Sequence, residues 1–222
     1  ALGVRRLDAA MVSHGDNDHA GGWGTVSRAF PVASLLAPEG SPVPGIVPCR
    51  AGQSWQWDGV SFRVLHPSDW FPYLGNEASC VLRIETAHGN ALLTGDIGHL
   101  IEDRLVRDDP ASVRNDVVLV PHHGSSGSSA EAFVAATGAR LALVSSGAGN
   151  RFGHPRKDVV QRWCRAGAEV VDTARAGAIR VWLGVEGLQM QERRASRSRL
   201  WDAARRRNGT AGLCYVPEMQ RP

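Results

Sequence analysis

Apolar positions along this chain fall in short runs punctuated by glycine, and the runs alternate with segments of helical spacing. Residues 7–12 (LDAAMV) read as a buried strand delivering the chain to Ser13, and residues 21–30 read as a helix. Residues 53–57 and 60–65 flank Asp58-Gly59, a dipeptide that tolerates positive φ and so predicts a two-residue hairpin turn. A second hairpin, residues 81–86 and 91–93, is expected to turn at Gly89-Asn90. Then come a helix over 99–107, a wholly apolar strand at 117–120, a helix over 129–137 and a strand at 141–144. A helix over 155–166 is expected to open on Pro155, where a missing N–H costs little. Strands at 169–171 and 179–183 close the regular part. Hairpins in the first half and βα units in the second predict a layered α/β fold.

Composition narrows this little. The 222 residues are 43% apolar and 21% charged, with 25 glycines, which suits one globular domain over residues 1–191. No run approaches the roughly 18–20 apolar residues that cross a bilayer, and Arg5, Arg6 and Asp8 break any signal-peptide pattern; the chain as it stands is expected to be soluble. Residues 192–222 carry eight arginines against Glu192, Asp202 and Glu218, and are expected to form an arginine-rich tail or peripheral helix, with a helix at 198–207. Since the net charge is only +3, the rest of the chain is slightly acidic, and composition does not suggest nucleic acid. Cys49, Cys80, Cys164 and Cys214 are scattered without a CxxC pair, so they are expected to be small core residues rather than disulfides or zinc ligands.

The chemistry is concentrated in four places. Residues 13–22 read SHGDNDHAGG, with His14, Asp16, Asp18 and His19 within six positions after a buried strand, and glycines that allow tight turning. Residues 92–96 (LLTGD) end a strand on glycine and Asp96; alone, Asp96 could be a helix cap. Residues 117–125 (VVLVPHHGS) eject His122 and His123 from a buried strand, and residues 149–155 (GNRFGHP) place His154 on a glycine-bounded loop. The repeated order of buried strand, glycine and ligand-type residue predicts convergence on one metal-binding cleft. Trp23, Trp55, Trp57 and Trp70 have the flat faces that stack nucleobases, but are expected mainly in the core.

These motifs resemble the metal stations of the metallo-β-lactamase superfamily. Asp16, with NEAS at 76–79, TGD, PHHGSS and GNRFGHP in that order, makes the chain most similar to the extracytoplasmic domain of the ComEC family of DNA-uptake proteins. The resemblance implies an αββα layered fold, here expected to lack its N-terminal strands. It also implies two divalent ions: one on His14 and Asp16, one on Asp18, His19 and His123, with Asp96 bridging. His123 rather than His122 is the expected ligand because it directly precedes Gly124. Asp18 would also orient the attacking water, and His122 or His154 would stabilise the phosphate or protonate the leaving oxygen. Asn76, Ser79, Ser125, Ser126 and Asn150 would hydrogen-bond the substrate.

Asp16 stands where the superfamily normally has a second histidine, and Asn76 and Ser79 stand where another isolated histidine falls, while His66 and His88 are expected to be structural. Hard oxygen ligands then shift the preference from zinc towards manganese or magnesium, with manganese favoured and zinc or magnesium as alternatives. The implied activity is a metal-dependent phosphodiesterase, a nuclease degrading one strand of DNA during uptake, with single-stranded DNA as substrate and a membrane channel as its parent protein. Two alternatives stand beside it. One is a phosphodiesterase acting on choline-phosphate or teichoic-type esters, separable by small diester substrates. The other is a weakly catalytic DNA-guiding module of a transport channel, separable by metal content and turnover.

Overall fold

A computed structural model of the protein describes residues 3–197 and 212–214. Three short parallel strands, β1 (Ala10–Met11), β2 (Leu35–Ala37) and β3 (Val47–Pro48), form a small sheet. Helices α1 (Asn17–Ala20) and α2 (Trp23–Ala29) lie between β1 and β2 in the chain. Ala20 of α1 and Trp23 of α2 pack with Val12, Leu35, Ala37 and Val43.

The central sheet has seven strands: β4 (Ser54–Trp57), β5 (Val60–His66), β6 (Val81–Thr86), β7 (Gly89–Leu93), β8 (Val117–Leu119), β9 (Leu141–Val144) and β10 (Glu169–Asp172). They lie side by side in chain order, antiparallel from β4 to β7 and parallel from β7 to β10. Both faces of this sheet are covered, which is why β8 and β9 are uninterrupted apolar runs. Val118, Ala142 and Val144 point to a helical layer and meet Ile101 and Leu105 of α3 (His99–Asp108), Phe133 and Val134 of α5 (Glu131–Thr137), and Val159 and Trp163 of α6 (Lys157–Arg165). The short α4 (Pro110–Val113) links α3 to β8.

On the opposite face, Cys80, Val64 and Leu82 pack with Met11 and Leu36 of the small sheet. Val117, Leu141 and Val171 meet a separate hairpin, β11 (Ile179–Gly184) and β12 (Gly187–Glu192), flanked by α7 (Thr173–Ala176) and α8 (Arg193–Ser196). The layers are therefore helix, sheet, sheet, helix. Among the described residues the second β layer is not continuous, being divided between the small sheet and the hairpin.

Four expectations are corrected. The cysteines are paired, Cys49 with Cys80 and Cys164 with Cys214, across separations of 31 and 50 residues. Spacing along the chain does not encode such contacts between distant elements. Cys49–Cys80 joins the end of the small sheet to the start of β6, and Cys164–Cys214 clips residues 212–214 to α6, beside β10. The β6–β7 turn is Ala87-His88, because Thr86 pairs with Gly89. A Cβ on Gly89 would meet Asp116 Oδ2 at 2.9 Å, so that glycine serves close approach rather than the turn. Pro155 does not open α6: the His154–Pro155 bond is cis and the helix begins at Lys157. Finally, Trp70 is 98% exposed and Trp57 is exposed, whereas Trp23 and Trp55 are partly buried against the core. The Asp58-Gly59 turn is present with both residues at positive φ, and the helix expected at 198–207 lies outside the described residues.

Candidate metal centre

The sheet edge where β7, β8 and β9 end in the chain direction carries the polar residues of the site. Gly95, at φ +57°, turns the chain after β7 into Asp96; a Cβ there would strike Ser79 at 2.6 Å. The Asp96 amide donates to Ser79 Oγ at 3.0 Å, fixing the carboxylate's direction. After β8, His122 and His123 both adopt left-handed φ, 49° and 54°. For two consecutive residues with Cβ atoms this costs energy that neighbouring bonds must hold in place. His122 N–H donates to Gly95 O, Ser125 N–H to His122 O and Arg156 N–H to Gly124 O.

From the small sheet, β1 delivers residues 13–19 to the same place. His14 is fully buried, with Nδ1 3.2 Å from Ser13 Oγ and 3.3 Å from Ser79 Oγ. His19 Nδ1 lies 2.8 Å from the same Ser13 hydroxyl. The Tyr73 hydroxyl accepts from Gly15 N–H at 2.8 Å and braces the loop from outside.

These elements bring five sequence-predicted residues into one cluster. His19 Nε2 stands 3.2 Å from Asp96 Oδ1 and 3.1 Å from His123 Nε2; His123 Nε2 stands 3.4 Å from Asp96 Oδ2 and 3.4 Å from Asp18 Oδ2. His14, His19 and Asp96 form one compact donor group, and Asp18, His19 and His123 a second, sharing His19. Asp16 Oδ2 is 3.7 Å from His14 Nε2 on an exposed side chain.

The donors fit divalent cations. His14 Nε2 is buried with no hydrogen-bond partner. Two imidazole nitrogens 3.1 Å apart repel unless a proton or cation lies between them, and the carboxylate beside them invites the cation. His123 Nδ1 donates to Ser145 O at 2.7 Å, which aims Nε2 into the cluster, a second partner of the kind that orients metal-ligating histidines. The hydrogen bond to Asp96 outweighs burial and pushes His123 up to about 9. Burial alone would raise Asp96, but hydrogen bonds from His123 and His19 hold it well below the usual carboxylate range. Burial lowers His14, leaving its ring neutral and able to ligate.

The remaining candidates lie around this cluster. His122 Nε2 is 3.9 Å from Asp96 Oδ2 and 3.4 Å from Asn76 Nδ2, so it stands farther from the carboxylate than His123. The His154 ring is 6.1 Å from that of His122. Ser79 is fully buried beneath Asp96 and His14, where it supports the cluster. Asn150 braces its own loop through bonds to Gly147 and His154. Ser125 and Ser126 follow the paired histidines, and Ser126 is exposed. His66, buried and bonded to Glu77 O at 2.8 Å, and the exposed His88 lie in structural surroundings. Ser13, Tyr73 and Ser145 went unrecognised in the sequence. Ser13 opens the SHGDNDH run and was within reach of sequence reasoning; Tyr73 and the Ser145 carbonyl have no local signature.

With fold and donor set in agreement, the chain belongs to the metallo-beta-lactamase superfamily, whose pattern matches residues 1–147. That membership implies a metal-dependent hydrolase. It is 37% identical over 194 residues to competence protein ComA of Neisseria gonorrhoeae, covering 87% of this chain and 28% of that protein. It is 33% identical over 192 residues to Recombination protein 2 of Haemophilus influenzae, covering 85% and 24%. The chain spans about a quarter of the length of these relatives. Among solved structures, the diiron beta-hydroxylase CmlA from Streptomyces venezuelae shares the fold, with a TM-score of 0.53 at 13% identity, covering 85% of this chain and 45% of that one. Among the described residues, no helix is long and apolar enough to cross a membrane.

Proposed function

We propose that this chain is a divalent-metal-dependent phosphodiesterase, a nuclease that degrades one strand of DNA during uptake. The observation that carries it is the convergence of His14, His19 and His123 on Asp96, with the exposed Asp18 and Asp16 at the mouth. His14 and Asp16 would hold one ion, Asp18, His19 and His123 the other, and Asp96 would bridge. Bound there, two divalent ions would supply Lewis acidity toward phosphate oxygens and acidify water for in-line attack. Asp18 orients the attacking water through its exposed carboxylate. His122, held by Asn76 beside Asp96, faces the phosphate, and His154 next to it donates to the leaving oxygen. Ser125 and Ser126 hydrogen-bond the substrate.

Two features support the biological setting. The relatives in which the chain finds its likeness are a competence protein and a recombination protein, each several times longer, which suits a domain attached to a membrane channel. The two disulfides suit an oxidising, extracytoplasmic compartment. The test is turnover of labelled single-stranded DNA by metal-free protein reloaded with one ion at a time. Manganese is expected to give the higher rate, because Asp16 supplies oxygen where a histidine would favour zinc. Higher turnover with zinc would refute the choice of metal, and no turnover with manganese, magnesium or zinc would refute the nuclease.

A further inference from the structure

Next to His122, one loop presents a surface that hydrolysis itself does not require. Residues 147–154 are tied internally: Asn150 Nδ2 donates to Gly147 O and His154 O, its Oδ1 accepts from His154 N–H, and Gly153 N–H returns to Asn150 O. The loop so fixed holds Phe152 outward, 54% exposed. A phenyl ring kept for packing would be covered, since exposing it forgoes the gain from burying apolar area. Instead it lies nearly parallel to the His154 ring, centroids 5.7 Å apart at 14°, and His154 in turn adjoins His122. The Arg151 guanidinium sits 4.8 Å from the Phe152 centroid and makes no ion pair among the described residues. A ladder of Arg151, Phe152, His154 and His122 thus runs from solvent to a point 3.9 Å from Asp96.

A flat apolar face beside a cation, two rings away from the reacting centre, matches a planar base joined to a phosphate. A polyol ester has no planar group to set against the ring, and the quaternary ammonium of a choline ester would meet the Arg151 cation already beside it. Resting on the phosphodiesterase reading for the position of the scissile phosphate, we propose that Phe152 is a base-stacking, specificity-determining residue for single-stranded nucleic acid. Arg151 contacts the phosphate that flanks the scissile one.

The experiment measures binding, so it does not depend on turnover. Fluorescence anisotropy compares a labelled oligothymidine with an abasic oligodeoxynucleotide of equal length, with calcium as the divalent ion, on whole protein checked by thermal melting. Phe152→Ala is expected to weaken oligothymidine binding about tenfold, the usual scale for one stacked base, while changing abasic binding less than about twofold. Phe152→Trp should restore the difference. Arg151→Ala should weaken both oligomers alike and reduce the slope of log affinity against log salt by about one. Equal losses on both oligomers with Phe152→Ala, no loss on either, or wild-type protein that does not prefer the base-bearing strand would each overturn the proposal. Hydrolysis of bis-p-nitrophenyl phosphate by wild-type protein separates the two readings. Its absence beside intact base-dependent binding defeats the phosphodiesterase reading and leaves the stacking role standing.

Discussion

The two halves of the metal centre are built differently. Asp96 and His123 leave β7 and β8, central strands of a sheet covered on both faces, through turns held by several backbone bonds. His14 to His19 leave β1, a two-residue strand at the edge of a three-stranded sheet, and their carboxylates Asp16 and Asp18 are 57% and 64% exposed. The rear half fixes direction: two left-handed histidines and a glycine turn are tolerable only where packing leaves no alternative. The front half depends on its attachments, which are the Cys80 N–H to Ser13 O bond, the Tyr73 hydroxyl on Gly15 and the Cys49–Cys80 disulfide. Geometry is set from behind, and the adaptable oxygen ligands stand in front, where the choice of ion is open to adjustment.

The largest effect should come from the rear. Asp96→Ala is expected to abolish hydrolysis while the protein stays folded, because Asp96 lies against His19 and His123 yet contributes no core packing. Wild-type-like turnover by a folded Asp96→Ala protein, with circular dichroism as the control, would remove the paired-ion account.

Next is the front half's tether. Replacing Cys49 and Cys80 together by alanine should cost about 2–5 kcal/mol of stability, as loss of a native disulfide commonly does. It should also weaken metal binding beyond that seen when Cys164 and Cys214 are replaced, since only the first pair joins the two halves of the site. Equal effects of the two double variants on metal affinity would show that the front half needs no staple.

A smaller effect belongs to the rear scaffold alone. Glu102 of α3 is fully buried, with its oxygens accepting from Ser129 and Ala130 N–H at 2.5 and 2.7 Å. Burial outweighs those bonds and pushes its carboxyl up to about 7 from 4.5. Between these values the folded chain holds a proton that the unfolded chain has released. This group's contribution is therefore fullest below about 4.5 and falls as pH rises to about 7. Glu102→Gln should flatten the melting temperature over that window, and an unchanged slope would assign the pH dependence elsewhere.

Legibility in the sequence follows the same division. The rear elements were readable because each is an apolar run that stops at glycine and then at a ligand, as in LLTGD and VVLVPHHGS. Such runs need no knowledge of the partner strand. The strand read at residues 7–12 is present only as the two residues of β1, β3 is too short for any period to declare it, and β12 alternates too weakly among polar neighbours to stand out. His14, Asp16, Asp18 and His19 were legible as a cluster. Their support was not: Ser79, read as a substrate contact, instead lies against His14, and the Tyr73 hydroxyl reaches Gly15 from elsewhere in the chain, where a lone hydroxyl has no pattern. The disulfides were missed for the same reason: contact between Cys49 and Cys80 exists only once the two sheets have stacked.

The central claim, that His123 closes the cluster as a ligand while His122 works from outside it, is tested most directly by counting ions. Wild type, His122→Ala and His123→Ala are each loaded with manganese, dialysed, and analysed for metal per chain. The account predicts that His123→Ala loses metal, since its Nε2 lies within 3.4 Å of both Asp18 and Asp96. It predicts that His122→Ala keeps the wild-type count while turnover falls roughly 10–100-fold. A metal-replete His123→Ala protein beside a His122→Ala protein that has lost an ion would contradict it.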